Sequence, residues 1–79
     1  MDKFGVKKAL QEIVDGNKVK MLSTDFKTHL FYKSNNKYGK PIIHMIIRLN
    51  GGPIDLHLTY DEFKEKFSDN KFYIYEGVL

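Results

Sequence analysis

The stretch Pro41–Leu58, PIIHMIIRLNGGPIDLHL, sets an Asn-Gly pair between two apolar runs, each holding one histidine. Asn-Gly flanked by alternating apolar residues is the strongest short-range signal for a β-hairpin, because the tight turn needs left-handed backbone there. With Asn50 and Gly51 as the turn, Leu49 faces Gly52, Ile47 faces Ile54, Met45 faces Leu56 and Ile43 faces Leu58. Those side chains share one face and nearly all are apolar. The opposite face then pairs Ile42 with Thr59, His44 with His57, Ile46 with Asp55 and Arg48 with Pro53. A slip of one residue would set Ile47 against Asp55, so the pattern itself selects this register.

Outward from the hairpin, Lys18–Leu22 (KVKML) and Lys27–Lys33 (KTHLFYK) alternate as two further strands, with SNNKYG as a polar turn before the hairpin. Val6, Ala9, Leu10, Ile13 and Val14 recur at helical spacing, predicting a helix over Asp2–Asp15 with Asp2 as N-cap and Gly16-Asn17 as its stop. Thr59 and Glu62 have the spacing of a capping box, and Phe63 and Phe67 form the apolar stripe of a short second helix. Lys71–Glu76 (KFYIYE) alternates again as a closing strand. The order α-β-β-β-β-α-β predicts an α+β fold: an antiparallel sheet of about five strands with helices on one side, in a single domain over residues 1–79.

Composition narrows the function. The chain has 79 residues, a net charge of +3 and no cysteine, which excludes disulfides, thiolate metal sites and a cysteine nucleophile. Such a short chain without staples gains from self-association, so a homo-oligomer is expected. No apolar run suits a membrane span and the N-terminus lacks a secretory apolar block, so a cytoplasmic location is expected. Arg48 is the only arginine among thirteen basic side chains, which argues against base-specific reading of duplex DNA. Ser23, Ser34 and Ser68 lack a nucleophile motif, and the glycines form neither a Walker loop nor a dinucleotide fingerprint. Asp61-Glu62 suits charge compensation at a helix start better than acid–base work. The expectation is therefore a binding protein, not an enzyme.

Two candidate sites follow. His44, His57 and His29 with Asp55 could form a metal set, but no compact ligand motif supports it, and no metal or cofactor is expected. The stronger candidate is a ligand-binding group of Arg48, His44, His57, Tyr73 and Tyr75, in which tyrosines stack on a base and the basic groups hold phosphate. The alternative reading of that face is a subunit interface, and a site between subunits would satisfy both. Lys7, Lys8, Lys18 and Lys20 are expected to form a solvated rim around the first helix.

The ends of the chain carry a resemblance. FGVKKALQEIVDGNKV resembles the opening of small phage proteins of the anti-Thoeris sponge family, with Ala9-Leu10 followed by Ile13, Gly16 and Val19 at three-residue steps. SDNKFYIYE is similar to that family's ending, with Phe72 in the place of a tryptophan. Met21 stands where the family usually shows arginine, and the central hairpin lies outside the resemblance. The resemblance implies an anti-defence protein of an infected bacterial host that sequesters an immune nucleotide second messenger, of cyclic ADP-ribose type or a cyclic oligonucleotide, without cleaving it. Two alternatives are a protein–protein inhibitor of a host defence or nucleic-acid enzyme, and a single-stranded nucleic-acid-binding module.

Overall fold

The computed structural model describes residues 2–21, 28–49 and 51–77. The chain runs α1 (Val6–Val14), β1 (Lys18–Met21), β2 (Thr28–Asn35), β3 (Pro41–Leu49), β4 (Gly52–Leu58), α2 (Tyr60–Lys66) and β5 (Phe72–Tyr75). This is the expected α+β order. The strands form one antiparallel sheet in the order β4-β3-β2-β1-β5, so β5 returns beside β1 and β2 lies at the centre.

The hairpin has the register its alternation demands, with Leu49 opposite Gly52, Ile47 opposite Ile54, Met45 opposite Leu56 and Ile43 opposite Leu58. The left-handed glycine at the turn is Gly52, at φ +117°, and not Gly51 as the Asn-Gly reading expects. Asn50, the expected first turn residue, lies outside the described residues, as do Leu22 and Lys27 at the expected ends of the first two strands. The ladder stops at Leu58. Thr59 does not pair with Ile42 because it leaves the sheet to cap α2: its hydroxyl accepts from Glu62 N–H, and its own N–H donates to Glu62 Oε1 at 2.9 Å.

Two boundaries also differ from the sequence reading. The first helix begins at Val6, not Asp2, and its N-cap is Gly5 in extended conformation. Phe4 is held instead at the sheet, exchanging backbone hydrogen bonds of 2.9 and 2.8 Å with Phe72. Those two bonds, beside a glycine that is itself a poor helix former, outweigh one further helical turn. Ser34 and Asn35 belong to β2, not to the turn. The turn itself is built on Asn36, whose Oδ1 accepts from the backbone N–H groups of Tyr38 and Lys40. At its other end α1 stops as expected. Gly16 takes φ +98°, its N–H reaches Ile13 O, and Asn17 N–H reaches Glu12 O, which is a Schellman closure.

All of the main core lies between the helices and one sheet face. Ala9 and Ile13 of α1 and Phe63 of α2 are fully buried there with Val19, Phe31, Ile43 and Phe72. Phe31 meets Phe63, Phe67 and Phe72 edge-on, with ring centroids 5.1, 5.2 and 5.9 Å apart. Among the described residues no helix is long and apolar enough to cross a membrane.

Two stability outcomes follow from this packing. Phe31→Ala should cost about 3–5 kcal/mol in urea unfolding, the range for an aromatic removed from a filled core. Thr59→Ala should cost about 1 kcal/mol through loss of the α2 cap. The Thr59 backbone N–H, and then the Thr59 side chain, hold the Glu62 carboxyl below its ordinary 4.5. The cap's ionic contribution is therefore complete above pH 4.5 and is lost as pH falls through the lowered value. Glu62→Gln should remove that part of the acid dependence, which a pH series of thermal melts will read.

Candidate functional site

Alternation turns the remaining side chains of every strand toward the face that neither helix covers. The register lines them up in rows across the sheet. One row runs Tyr73, Lys20, Leu30, Ile46, Asp55 from β5 to β4. In the next, Tyr75 pairs with Lys18, and Tyr32 pairs with His44, which pairs with His57. Extending the Val19–Phe31 pairing by one residue sets Lys18 beside Tyr32 and completes that row. Arg48, between Thr28 and Pro53, stands one row beyond Ile46 toward the hairpin tip. Leu30 is buried at 6 % exposure on this face, outside the main core cluster and flanked by Lys20 and Ile46.

The five predicted residues thus share a face without converging. His44 and His57 come together with ring centroids 4.8 Å apart and planes tilted by 39°. Tyr73 and Tyr75 lie on β5, three strand intervals from β3, which is about 14 Å at normal strand spacing. Lys20 Nζ sits over the Tyr75 ring at 4.2 Å, so a base that stacks on that ring face must displace an ammonium. The Arg48 side chain is exposed and makes no hydrogen bond or ion pair among the described residues.

Two side chains that the sequence reading did not assign to the ligand group complete the histidine end. Tyr32 Oη lies 2.6 Å from His44 Nδ1, and Asp55 Oδ1 lies 3.3 Å from His44 Nε2. The Asp55 contact is within ion-pair distance, yet Nε2 is out of line for a hydrogen bond to it and is otherwise buried. A carboxylate beside Nε2 favours the imidazole tautomer with its proton there, which leaves Nδ1 to accept from the Tyr32 hydroxyl. The result is a Tyr32–His44–Asp55 chain with the His57 ring tilted against its middle member. Tyr32 and His44 are 12 residues apart, and only the β2–β3 register joins them.

The other assignments change. His29 lies on the helix-covered face, 6.3 Å centroid to centroid from Phe67, so the His29–His44–His57–Asp55 metal set is split by the sheet. No group of three potential metal ligands occurs among the described residues. Lys18 and Lys20 are half-buried members of β1 on the uncovered face, not a rim around the helix. Lys7 and Lys8 are exposed on α1, where Lys8 pairs with Glu12 at 3.0 Å.

A cleft of about 380 Å³ opens at the end of the sheet, lined in part by Asn36, Lys37, Ile42, His57, Thr59 and Glu62. Thr59 and Glu62 already satisfy each other in the α2 cap, and Asn36 is engaged in its turn. The cleft therefore offers mainly Lys37 and His57, and of the predicted group it meets His57 alone. A comparison with family models, curated proteins and solved structures finds no match to this chain.

Tyr32→Phe tests the side-chain network. It should lower the unfolding free energy by about 1 kcal/mol, the worth of one hydrogen bond, and should shift the His44 Nδ1 resonance in a nitrogen-detected imidazole spectrum while leaving His29 unmoved.

Proposed function

We propose that this protein binds a nucleotide second messenger on the uncovered sheet face and sequesters it intact. The observation that carries the proposal is a helix-free face on which tyrosines, lysines and two adjacent histidines stand in register. Aromatic faces suit a base, and ammonium, guanidinium and imidazole groups suit phosphate oxygens. From Tyr73 to Asp55 the row crosses four strand intervals, about 19 Å. That span exceeds one nucleoside monophosphate and suits a ligand with two sugar–phosphate units, such as a cyclic dinucleotide or an ADP-ribose derivative. The resemblance of the chain ends to the anti-Thoeris sponges supports the same class. Its residues Ala9, Ile13, Val19 and Phe72 are all core positions, so that support bears on the scaffold, and the uncovered face supplies the ligand chemistry.

The test is native mass spectrometry of protein purified from cells that produce the signal, followed by calorimetric titration with cyclic dinucleotides and cyclic ADP-ribose. A retained mass of nucleotide size, released unchanged on heating, is the expected result. Tyr73→Ala should then weaken binding by about 1–3 kcal/mol through lost stacking, and Arg48→Ala by about 1.5–3 kcal/mol through a lost charged hydrogen bond. No retained nucleotide and no heat with any of these ligands would overturn the proposal. Binding of oligonucleotides that weakens steeply with salt would replace it with single-stranded nucleic-acid binding.

A further inference from the structure

The two edges of the sheet are treated differently. On β5, the outward backbone groups of Phe72 are occupied by Phe4 through two hydrogen bonds. On β4, the outer side has no strand beside it among the described residues. Ile54 and Leu56 are also each 43 % exposed there, on the side of the sheet where the helices lie. An edge that is open, apolar and free of lysine is a template for another strand.

The hydrogen-bonding phase of that edge can be read from the structure. Asn36 N–H donates to Lys40 O at 2.9 Å, and this pair continues the β2–β3 register. Alternation then turns the backbone groups of Ile42, His44, Ile46 and Arg48 toward β2, and those of Ile43, Met45 and Ile47 toward β4. Their partners Leu58, Leu56 and Ile54 therefore face β3. The outward N–H and C=O groups of β4 belong to Asp55 and His57. Pro53 has no N–H to offer, and Thr59 N–H is taken by Glu62. The free segment is short and bounded at both ends.

We propose that β4 pairs antiparallel with β4 of a second copy of this chain, about a two-fold axis at Leu56. In that register Asp55 lies opposite His57 of the second copy, Leu56 opposite Leu56, and Ile54 opposite Leu58. Each Asp55–His57 pair exchanges two backbone hydrogen bonds and sets a carboxylate against an imidazole. The leucines meet in a non-hydrogen-bonded pair, where side chains approach most closely. An axis at Asp55 would oppose two carboxylates, and an axis at His57 would oppose two imidazoles. Registers shifted by an odd step would set inward-facing backbone groups against outward-facing ones. The strand is complementary to itself in one register, which identifies a second copy as the occupant. The pairing joins two five-stranded sheets into one, with both helical layers on the same side, and brings Asp55 and His57 of the second copy to the histidine end of the uncovered face.

The absence of cysteine makes single-cysteine variants unambiguous reporters. Under mild oxidation L56C should form a disulfide-linked dimer, because opposed residues of an antiparallel pair lie within disulfide reach. I54C, equally exposed, should not, since its two copies would be separated by four residues of strand, about 14 Å. Sedimentation equilibrium of the unaltered protein from about 1 to 200 µM should show a concentration-dependent dimer. Leu56→Lys should abolish that dimer while circular dichroism melts show the fold retained. A monomer throughout that range overturns the proposal. So does a dimer in which I54C cross-links as fast as L56C, because the axis then lies elsewhere. None of these readouts involves a nucleotide, so failure here and failure of nucleotide binding are told apart.

Discussion

Phe31 is the side chain on which both layers rest. It stands in β2, the central strand, between Val19 of β1 and Met45 of β3. Its ring meets Phe63 of α2, Phe67 at the end of that helix, and Phe72 of the last strand. One buried aromatic therefore ties the helical layer to the middle and the distal side of the sheet. In a chain this short the core has few substitutes, and ring contacts of this kind add to the area they bury. α1 lies against the sheet through the small Ala9 and the branched Ile13, both fully buried, with Val6 and Leu10 packed beside them.

Placing both helices on one side has a cost on the other. Period-two alternation sends half of every strand to a face with no covering layer, and there the chain uses amphipathic side chains. Leu30 is buried there without a helix above it, between Lys20 and Ile46. Amphipathic residues suit such a face because their apolar stems lie along the sheet while their polar tips reach water. The chemistry of the face thus includes side chains that are apolar along their stems and polar at their tips. That same composition is what an anionic, aromatic ligand would meet.

How much of this was legible in the sequence depends on how local each feature is. The hairpin register was legible because a two-residue turn and a strict alternation fix it within eighteen residues. The α2 cap was legible because Thr59 and Glu62 are three apart and signal directly. The start of α1 was not: Asp2 is an acceptable N-cap, and the competing Phe4–Phe72 bridge joins opposite ends of the chain. The Tyr32–His44 bond was invisible for the same reason. Tyr32 could be placed on a strand, but which face it shares with His44 depends on the β2–β3 register, and the polar turn Asn36–Lys40 does not announce that register as Asn-Gly does. The separation of Tyr73 and Tyr75 from the histidines follows from strand order. Periodicity gives the face of a residue, whereas only the insertion of β1 and β2 between β5 and β3 sets its distance.

Asp55 links the face to the edge. Its carboxylate lies beside His44 Nε2 within one chain, while its backbone groups point out of the sheet, away from β3. Side-chain and main-chain roles are separable here because a strand sends them in perpendicular directions. Leu56, on the other side of the strand, contributes nothing to the uncovered face. The two sides of β4 therefore carry different work. The Leu56 side can govern what joins the edge, and the Asp55–His57 side can govern what lies on the sheet. Asp55 and His57 carry both: in the proposed pairing their main chain would meet the second copy, while their side chains stay on the uncovered face beside His44.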